Sequence, residues 1–206
     1  MNQLEILPFP IGTTAGVSAA TDKVEWEGKE YWVPDLDYSS SPSKPRAYGG
    51  GSGQDFKRVR IVRNVSGVAL LPSLLVVFKA AKFGLQVDGY ARVNPTRSYP
   101  VDEFLPTAGV ANNDLFYITT FGNAGIKLSA TAAEAAAIAE GDWITNVTAA
   151  ASTNSTTAGR FLLIDTTGAT TPLANQMLYA IGIALSAATT ADTGAVRLCR
   201  VTARYF

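Results

Sequence analysis

The sequence predicts an all-β protein: a compact β-barrel or β-sandwich domain with one short helix and an extended N-terminal arm. Three observations carry this. Short apolar runs recur along residues 56–206, separated by loops rich in Gly, Thr and Ala, with little helical spacing between them. Hydrophobic residues make up 47% of the 206 and charged residues only 17%, against a usual charged fraction of about 25%. Thr, Ser and Asn supply the missing polarity, which suits strands and uncharged surfaces that meet other protein. Residues 1–55, by contrast, end in a tract of Ser, Pro and Gly with no apolar period.

The first element is "KVEWEGKEYWVPDLDY". Alternation runs from Val24 to Trp26 and again near Tyr31, so the segment predicts a short hairpin turning at "EGKE". "SSSPSKPRAYGGGSGQ", Ser39 to Gln54, follows as a linker or extended arm. The chain thus divides into an arm and linker, 1–55, and a β-rich main domain, 56–206. Two of the three tryptophans lie in the arm. A segment this small can hardly bury Trp26, Tyr31 and Trp32 by itself. Either they pack back on their own domain, or the arm lies across a neighbouring subunit.

"FKRVRIVRNVSGVALLPSLLVVF" opens the main domain. Arg58 and Arg60 alternate with Val59 and Ile61 as in a strand with one wet face, and "LLVVF" reads as a buried strand. "KFGLQVDGYARV" reads as a hairpin with a type I′ turn at Asp88-Gly89. "DLFYITTF", "WITNV", "RFLLID", "LYAIGIAL" and "AVRLCRVTA" are five further strands. The one helix is placed in "LSATAAEAAAIAEGDW". Thr131 stands three residues before Glu134, as in a capping box, six alanines follow, and Gly141 stops it.

Composition removes most chemistry. Seventeen basic and seventeen acidic residues cancel, so no bulk field draws the chain to nucleic acid or to an anionic membrane. There is no His, the commonest general base and metal ligand. The single Cys199 allows neither an internal disulfide nor a multi-Cys zinc site, and in a strand it reads as an inert buried thiol. No metal or other cofactor is expected. No stretch reaches about 18 apolar residues, as a membrane span needs. "MNQLEILPFPIG" lacks the marks of a signal peptide, so the expected site of synthesis is a cytoplasm. The glycosylation-type triplets at Asn64, Asn146 and Asn154 are then products of composition.

Three motifs remain. The carboxylate pair Asp102-Glu103 sits between Pro100 and Pro106. Adjacent residues on an extended chain point to opposite sides, so the two cannot easily serve one substrate. They read as acids of a rigid surface loop, capping backbone N–H groups or facing solvent or an arginine such as Arg92, Arg97 or a neighbour's. "KRVRIVR", Lys57 to Arg63, puts four positive charges in seven residues. Without interleaved aromatics it reads as a solvated face or as cations awaiting a neighbour's acids. "YGGGSGQ" lacks the strand, helix and Lys-Ser/Thr pair of a phosphate loop. Hydroxyls are plentiful, but neither Ser-x-x-Lys nor Gly-x-Ser-x-Gly occurs. The residues point to a protein that is not an enzyme, with a Ser-Lys hydrolase as a distant reading.

"RVRIVRNVSGVALLP", "YPVDEFLPTAGVANNDLFYI", "STTAGRFLLID" and "AIGIALSAATTADTGAVRLCRV" occur in this order over residues 58–203. This resembles structural proteins of tailed bacteriophages, in particular capsid decoration (cement) proteins. The resemblance implies a virion protein on the outer capsid surface. It would bind the major capsid protein where capsomers meet and stabilise the shell, commonly as a homo-oligomer such as a trimer. On this reading residues 1–55 are the clamp. Trp26, Tyr31, Trp32, Tyr38 and Tyr48, with Arg58 and Arg60, are the interface candidates. The alternative expectation is a tail, baseplate or receptor-binding component.

Overall fold

The computed structural model describes residues 6–15, 23–37, 46–47, 56–82, 84–91, 97–128, 138–146, 161–163, 180–192 and 195–202. Among these, twelve strands form a ten-stranded mixed sheet and a separate two-stranded ladder. The strands are β1 (Glu30–Pro34), β2 (Leu36–Asp37), β3 (Arg46–Ala47), β4 (Phe56–Asn64), β5 (Leu75–Phe78) and β6 (Gln86–Tyr90). Then follow β7 (Tyr99–Pro100), β8 (Leu115–Lys127), β9 (Trp143–Asn146), β10 (Phe161–Leu163), β11 (Gly182–Ala184) and β12 (Val196–Val201). The sheet order is β10-β9-β11-β12-β8-β4-β6-β5-β7, with β1 joining as the tenth strand by pairing β4. Only β4 and β6 run parallel.

The centre is the antiparallel pair β4 and β8. β8 has thirteen residues and serves two partners. Its first part, Leu115 to Phe121, pairs with β4, and its second, Gly122 to Lys127, pairs with β12. A register shift between Arg58 and Val59 leaves Thr120 as the extra residue near the join, and such a bulge bends and twists the strand. Gly122 follows at φ 97°, where a Cβ would run into Lys57. A side chain fits neither the backbone angle nor the space.

Alternation along these strands builds three apolar clusters. Val59 and Ile61 of β4 with Leu115 and Tyr117 of β8 face one side, where Phe9, Ile11 and Val33 cover them. Val62, Phe116 and Ile118 face the other, against Val76, Val87, Tyr90 and Val101. The third cluster gathers Ala124 and Ile126 of β8 with Ile144, Ala184, Cys199 and Val201. β8 contributes to all three. The β7 end of the sheet curls back toward β8 through a bridge from Val101 to Ile118 and a bond from the Asp102 N–H to the Tyr117 carbonyl. The sheet is not closed into a barrel, so of the two architectures expected the barrel is not formed.

Several local expectations are corrected. Val24–Trp26 is a 3-10 turn, not half of a hairpin. β1 pairs instead with β4, and the Gly28 N–H to Ile61 carbonyl and Ile61 N–H to Lys29 carbonyl bonds extend that pairing. Asp88-Gly89 is no turn either. Both residues lie within β6, whose register with β5 shifts so that Asp88 is left over and exposed, while Gly89 takes φ 138°. A bulge and a type I′ turn both favour Gly at positive φ, so one dipeptide fits either. Among the described residues there is no α-helix. Residues 129–137, most of the expected helix, lie outside those described, and Ile138 bridges Ala188 in extended form. β1, from the N-terminal segment, pairs with β4 in one sheet.

Asn64 locks the end of β4. Its side chain is buried and donates to the carbonyls of Val68, Val110 and Ala111 at 2.7, 2.9 and 3.2 Å, and its Oδ1 accepts from the Ser66 N–H and hydroxyl. The Asn64-Val65-Ser66 triplet is therefore a clasp built around a buried Asn64. Asn64→Ala should cost about 2–4 kcal/mol in urea denaturation, because several buried groups lose their partner. Asn64→Asp should cost more, since it sets an oxygen, charged or not, against three carbonyls.

Candidate functional site

Alternation sends the aromatics of β1 to opposite faces. Tyr31 and Val33 turn inward and Trp32 turns out. Tyr31 and Trp26 are half-buried and pack on the cluster around Phe9, with the Phe9 and Trp26 rings 6.1 Å apart. Of the two arrangements weighed for these side chains, both take the one in which they pack on their own domain. Tyr38 and Tyr48 lie outside the described residues.

Trp32 has a different setting. The register places Trp32 opposite Arg58, and Arg58 opposite Phe121. The indole meets the Phe121 ring edge-on at 5.8 Å, and the Arg58 guanidinium carbon lies 5.8 Å from the indole centre. Phe56, two residues before Arg58, shares this face. Trp32 is 50% exposed, Phe56 51% and Phe121 37%. Three large aromatics thus stand open on one outer face of β1, β4 and β8. Phe56 and Phe121 were not among the residues nominated from sequence. Both sit in runs that read as ordinary strands, and only the covering of the opposite face shows that these positions look outward.

The cations of β4 are neutralised within the chain. Arg60 donates to Glu30 at 2.6 and 2.9 Å, and Arg58 lies 3.5 Å from the same carboxylate. Arg58 also donates to the Thr120 hydroxyl at 3.1 Å. Arg63 is wholly buried and pairs with Glu27, whose side chain is 3% exposed, while its Nη1 donates to the Asn113 carbonyl at 2.6 Å. Lys57 is buried beside Glu103, 3.6 Å away, with its ammonium 4.9 Å from the centre of the Phe104 ring. The basic run is thus neither a solvated face nor a set of cations waiting for a neighbour. Three glutamates from distant positions answer it. Opposite charges across paired strands fix the register of β1 on β4.

The expectation of two loop acids facing solvent or an arginine is corrected in the same way. Both do cap backbone N–H groups, but the segment is a turn rather than extended chain, Asp102 is buried, the Glu103 side chain is only 8% exposed, and both lie near the same cation, Lys57. Asp102 accepts from the Gly12 N–H at 2.7 Å and the Phe104 N–H at 3.1 Å. Glu103 accepts from the Gly125 N–H at 2.6 Å. Arg92 lies outside the described residues. Burial pushes the Asp102 carboxyl above the ordinary aspartate value, against the pull of the Lys57 ammonium and the two N–H groups.

Cys199 is buried in β12, and burial, with Glu103 nearby, pushes its thiol up to about 12. So little thiolate exists near neutrality that Cys199 is a poor nucleophile. Among the described residues no three His, Cys, Asp or Glu side chains are grouped to hold a metal ion, and no helix is long and apolar enough to cross a membrane. The arrangement is one of open aromatics over an internally neutralised sheet.

Two outcomes follow for the charges. Glu27→Gln should lower stability by about 3–5 kcal/mol, because it strands the Arg63 guanidinium, whereas Arg63→Met with Glu27→Gln should cost less than the two single changes summed. A double-mutant cycle in denaturant measures this. For Asp102 the folded state holds the proton more tightly than the unfolded chain. Its contribution is therefore largest with the proton on and is lost as pH rises through the raised value. The melting temperature of the wild type relative to Asp102→Asn should climb as pH falls from about 7 toward about 4. A scan against protein-family models and a search of curated proteins give no match to this chain.

Proposed function

We propose that this protein is a non-enzymatic structural component of a tailed-phage particle, a decoration protein that binds the outer surface of the head and stabilises the shell. The observation that carries the binding role is the open aromatic face of Trp32, Phe56 and Phe121 with Arg58 among them. Aromatics and arginine are the residue types that dominate the centres of protein interfaces. The buried ion pairs behind that face keep it rigid, so little order has to be gained on docking. The phage assignment rests on the resemblance of residues 58–203 to cement proteins.

The partner on this reading is the major capsid protein, approached where capsomers meet. A homo-oligomer, such as a trimer, would present several copies of the face at once. Each later contact is then intramolecular, so individually modest contacts give firm retention.

Co-sedimentation of the purified protein with matching heads that lack it is the test. Saturable binding at hundreds of copies per head is the expected result. No binding, or binding at a single vertex, would move the protein to the tail or portal region. Trp32→Ala should weaken head binding by roughly thirtyfold, a loss of about 2 kcal/mol, and lower the melting temperature by only a few degrees, since its contacts with Phe121 and Arg58 are worth about 1 kcal/mol. Equal binding by this variant would remove the aromatic face from the interface.

A further inference from the structure

The inward face of β4 and β8 carries a second feature, one that does not depend on the capsid reading. Residues 6–15 lie across it as a strap. Phe9 and Ile11 are buried among Val59, Ile61, Leu115 and Tyr117, with Trp26 and Phe104 at the margins. The Phe9 ring stacks on Tyr117 at 4.5 Å. Three polar tethers hold the backbone. The Tyr117 hydroxyl donates to the Phe9 carbonyl at 2.8 Å, the Gly12 N–H donates to Asp102 at 2.7 Å, and the Ala15 N–H donates to the Leu115 carbonyl at 3.0 Å. Gly12 takes φ 82° with Phe104 so close that a Cβ would lie 3.2 Å from it. The strap adds no strand to the sheet.

This is how a groove recognises a short peptide: two apolar anchors, an aromatic ring contact, and backbone bonds at Phe9, Gly12 and Ala15 that hold a turned segment in place. Pro8 and Pro10 flank the anchor, which lowers the entropy lost when the segment is laid down. The site is also separable. Outside itself the strap touches β1, β4, β8, the 3-10 turn at Trp26 and the loop after β7. Two buried side chains, the partly buried Leu7 and Ala15, and three bonds to the rest of the chain secure ten residues outside any strand, the kind of segment that opens locally ahead of a paired core.

We propose that this groove is a peptide-recognition site, and that the strap of a second copy of the chain docks in it in exchange for the resident one. The fit needs no new chemistry, because the second copy carries the same "LPFPIG" that the groove holds here. Residues 16–22 connect the strap to Lys23. The eight steps from Ala15 to Lys23 reach roughly 28 Å when fully extended, so exchange occurs between copies packed side by side. An exchange of identical segments gives a symmetric or ring-closed assembly without altering the core.

The test uses the full chain and a fluorescent peptide of residues 4–15. In the wild type the resident strap competes at high effective concentration. Phe9→Ala in the chain weakens the resident strap and opens the groove. The peptide should therefore bind this variant about tenfold or more tightly than it binds the wild type, read by anisotropy. A peptide carrying the same Phe9→Ala change should not bind. Gly12→Ala in the chain provides a second opened groove that leaves the buried anchors intact. Mixed isotope-labelled wild-type chains, held concentrated and then diluted, should yield mixed oligomers by native mass spectrometry, and Phe9→Ala chains should not. Failure of both folded variants to bind the peptide overturns the proposal. So does equal binding of the altered peptide, or a wild type that never forms mixed oligomers.

Discussion

The sheet depends on the neutralisation of β4. Four cations in seven residues on the central strand would repel one another and any apolar cover. Each is answered from elsewhere in the chain: Glu30 for Arg58 and Arg60, Glu27 for Arg63, Glu103 for Lys57. The buried pairs demand specific geometry, since desolvated charges are tolerated only where partner and hydrogen bonds are in place. Glu27 and Glu30 thereby tie β1 and the turn before it to β4. Glu103 ties the loop after β7 to the same strand. What reads locally as a basic run is the junction of the N-terminal segment, the central pair and the curled end of the sheet.

The same junction separates two faces with different properties. The inward face is dry and closed by Phe9, Ile11 and Val33. The outward face keeps Trp32, Phe56 and Phe121 in the open. Asp35 reinforces the division. It is buried and accepts from Asn123 of β8 at 2.6 Å, and Asn123 accepts in turn from Arg200 of β12. Both ties meet at Asn123, in the half of β8 that pairs with β12.

Much of the strand content was legible because apolar runs such as "LVVF", "LFYITTF" and "VRLCRV" carry their own signal. The pairing was not. Gly89 satisfies a bulge as well as a turn, and Val24 with Trp26 fits a 3-10 turn as well as a strand. For Asp102 and Glu103, the capping of backbone N–H groups was legible and holds. Their burial was not, because it depends on Lys57, 46 residues before Glu103, and on Gly12, 90 residues before Asp102. Trp32 was nominated by type. Phe56 and Phe121 were passed over because exposure belongs to a face, and faces are defined only once the covering segments are placed.

β8 has a further consequence, in the order in which structure can appear as the chain is made. β4 is synthesised early, with its partner β1 already made, yet its other antiparallel partner begins at Leu115, and the second half of that partner must wait for β12 at Val196–Val201. Until Leu115–Phe121 is made, β4 carries apolar and charged residues many of whose final neighbours do not yet exist, apart from β1 and the glutamates of the N-terminal segment. Such long-range pairing folds slowly and leaves unpaired strand edges open to association. The early arrival of Glu27 and Glu30, with the strap already made, gives β4 local partners that can shield it during this interval. The N-terminal segment then acts as a built-in escort for the strand it later covers.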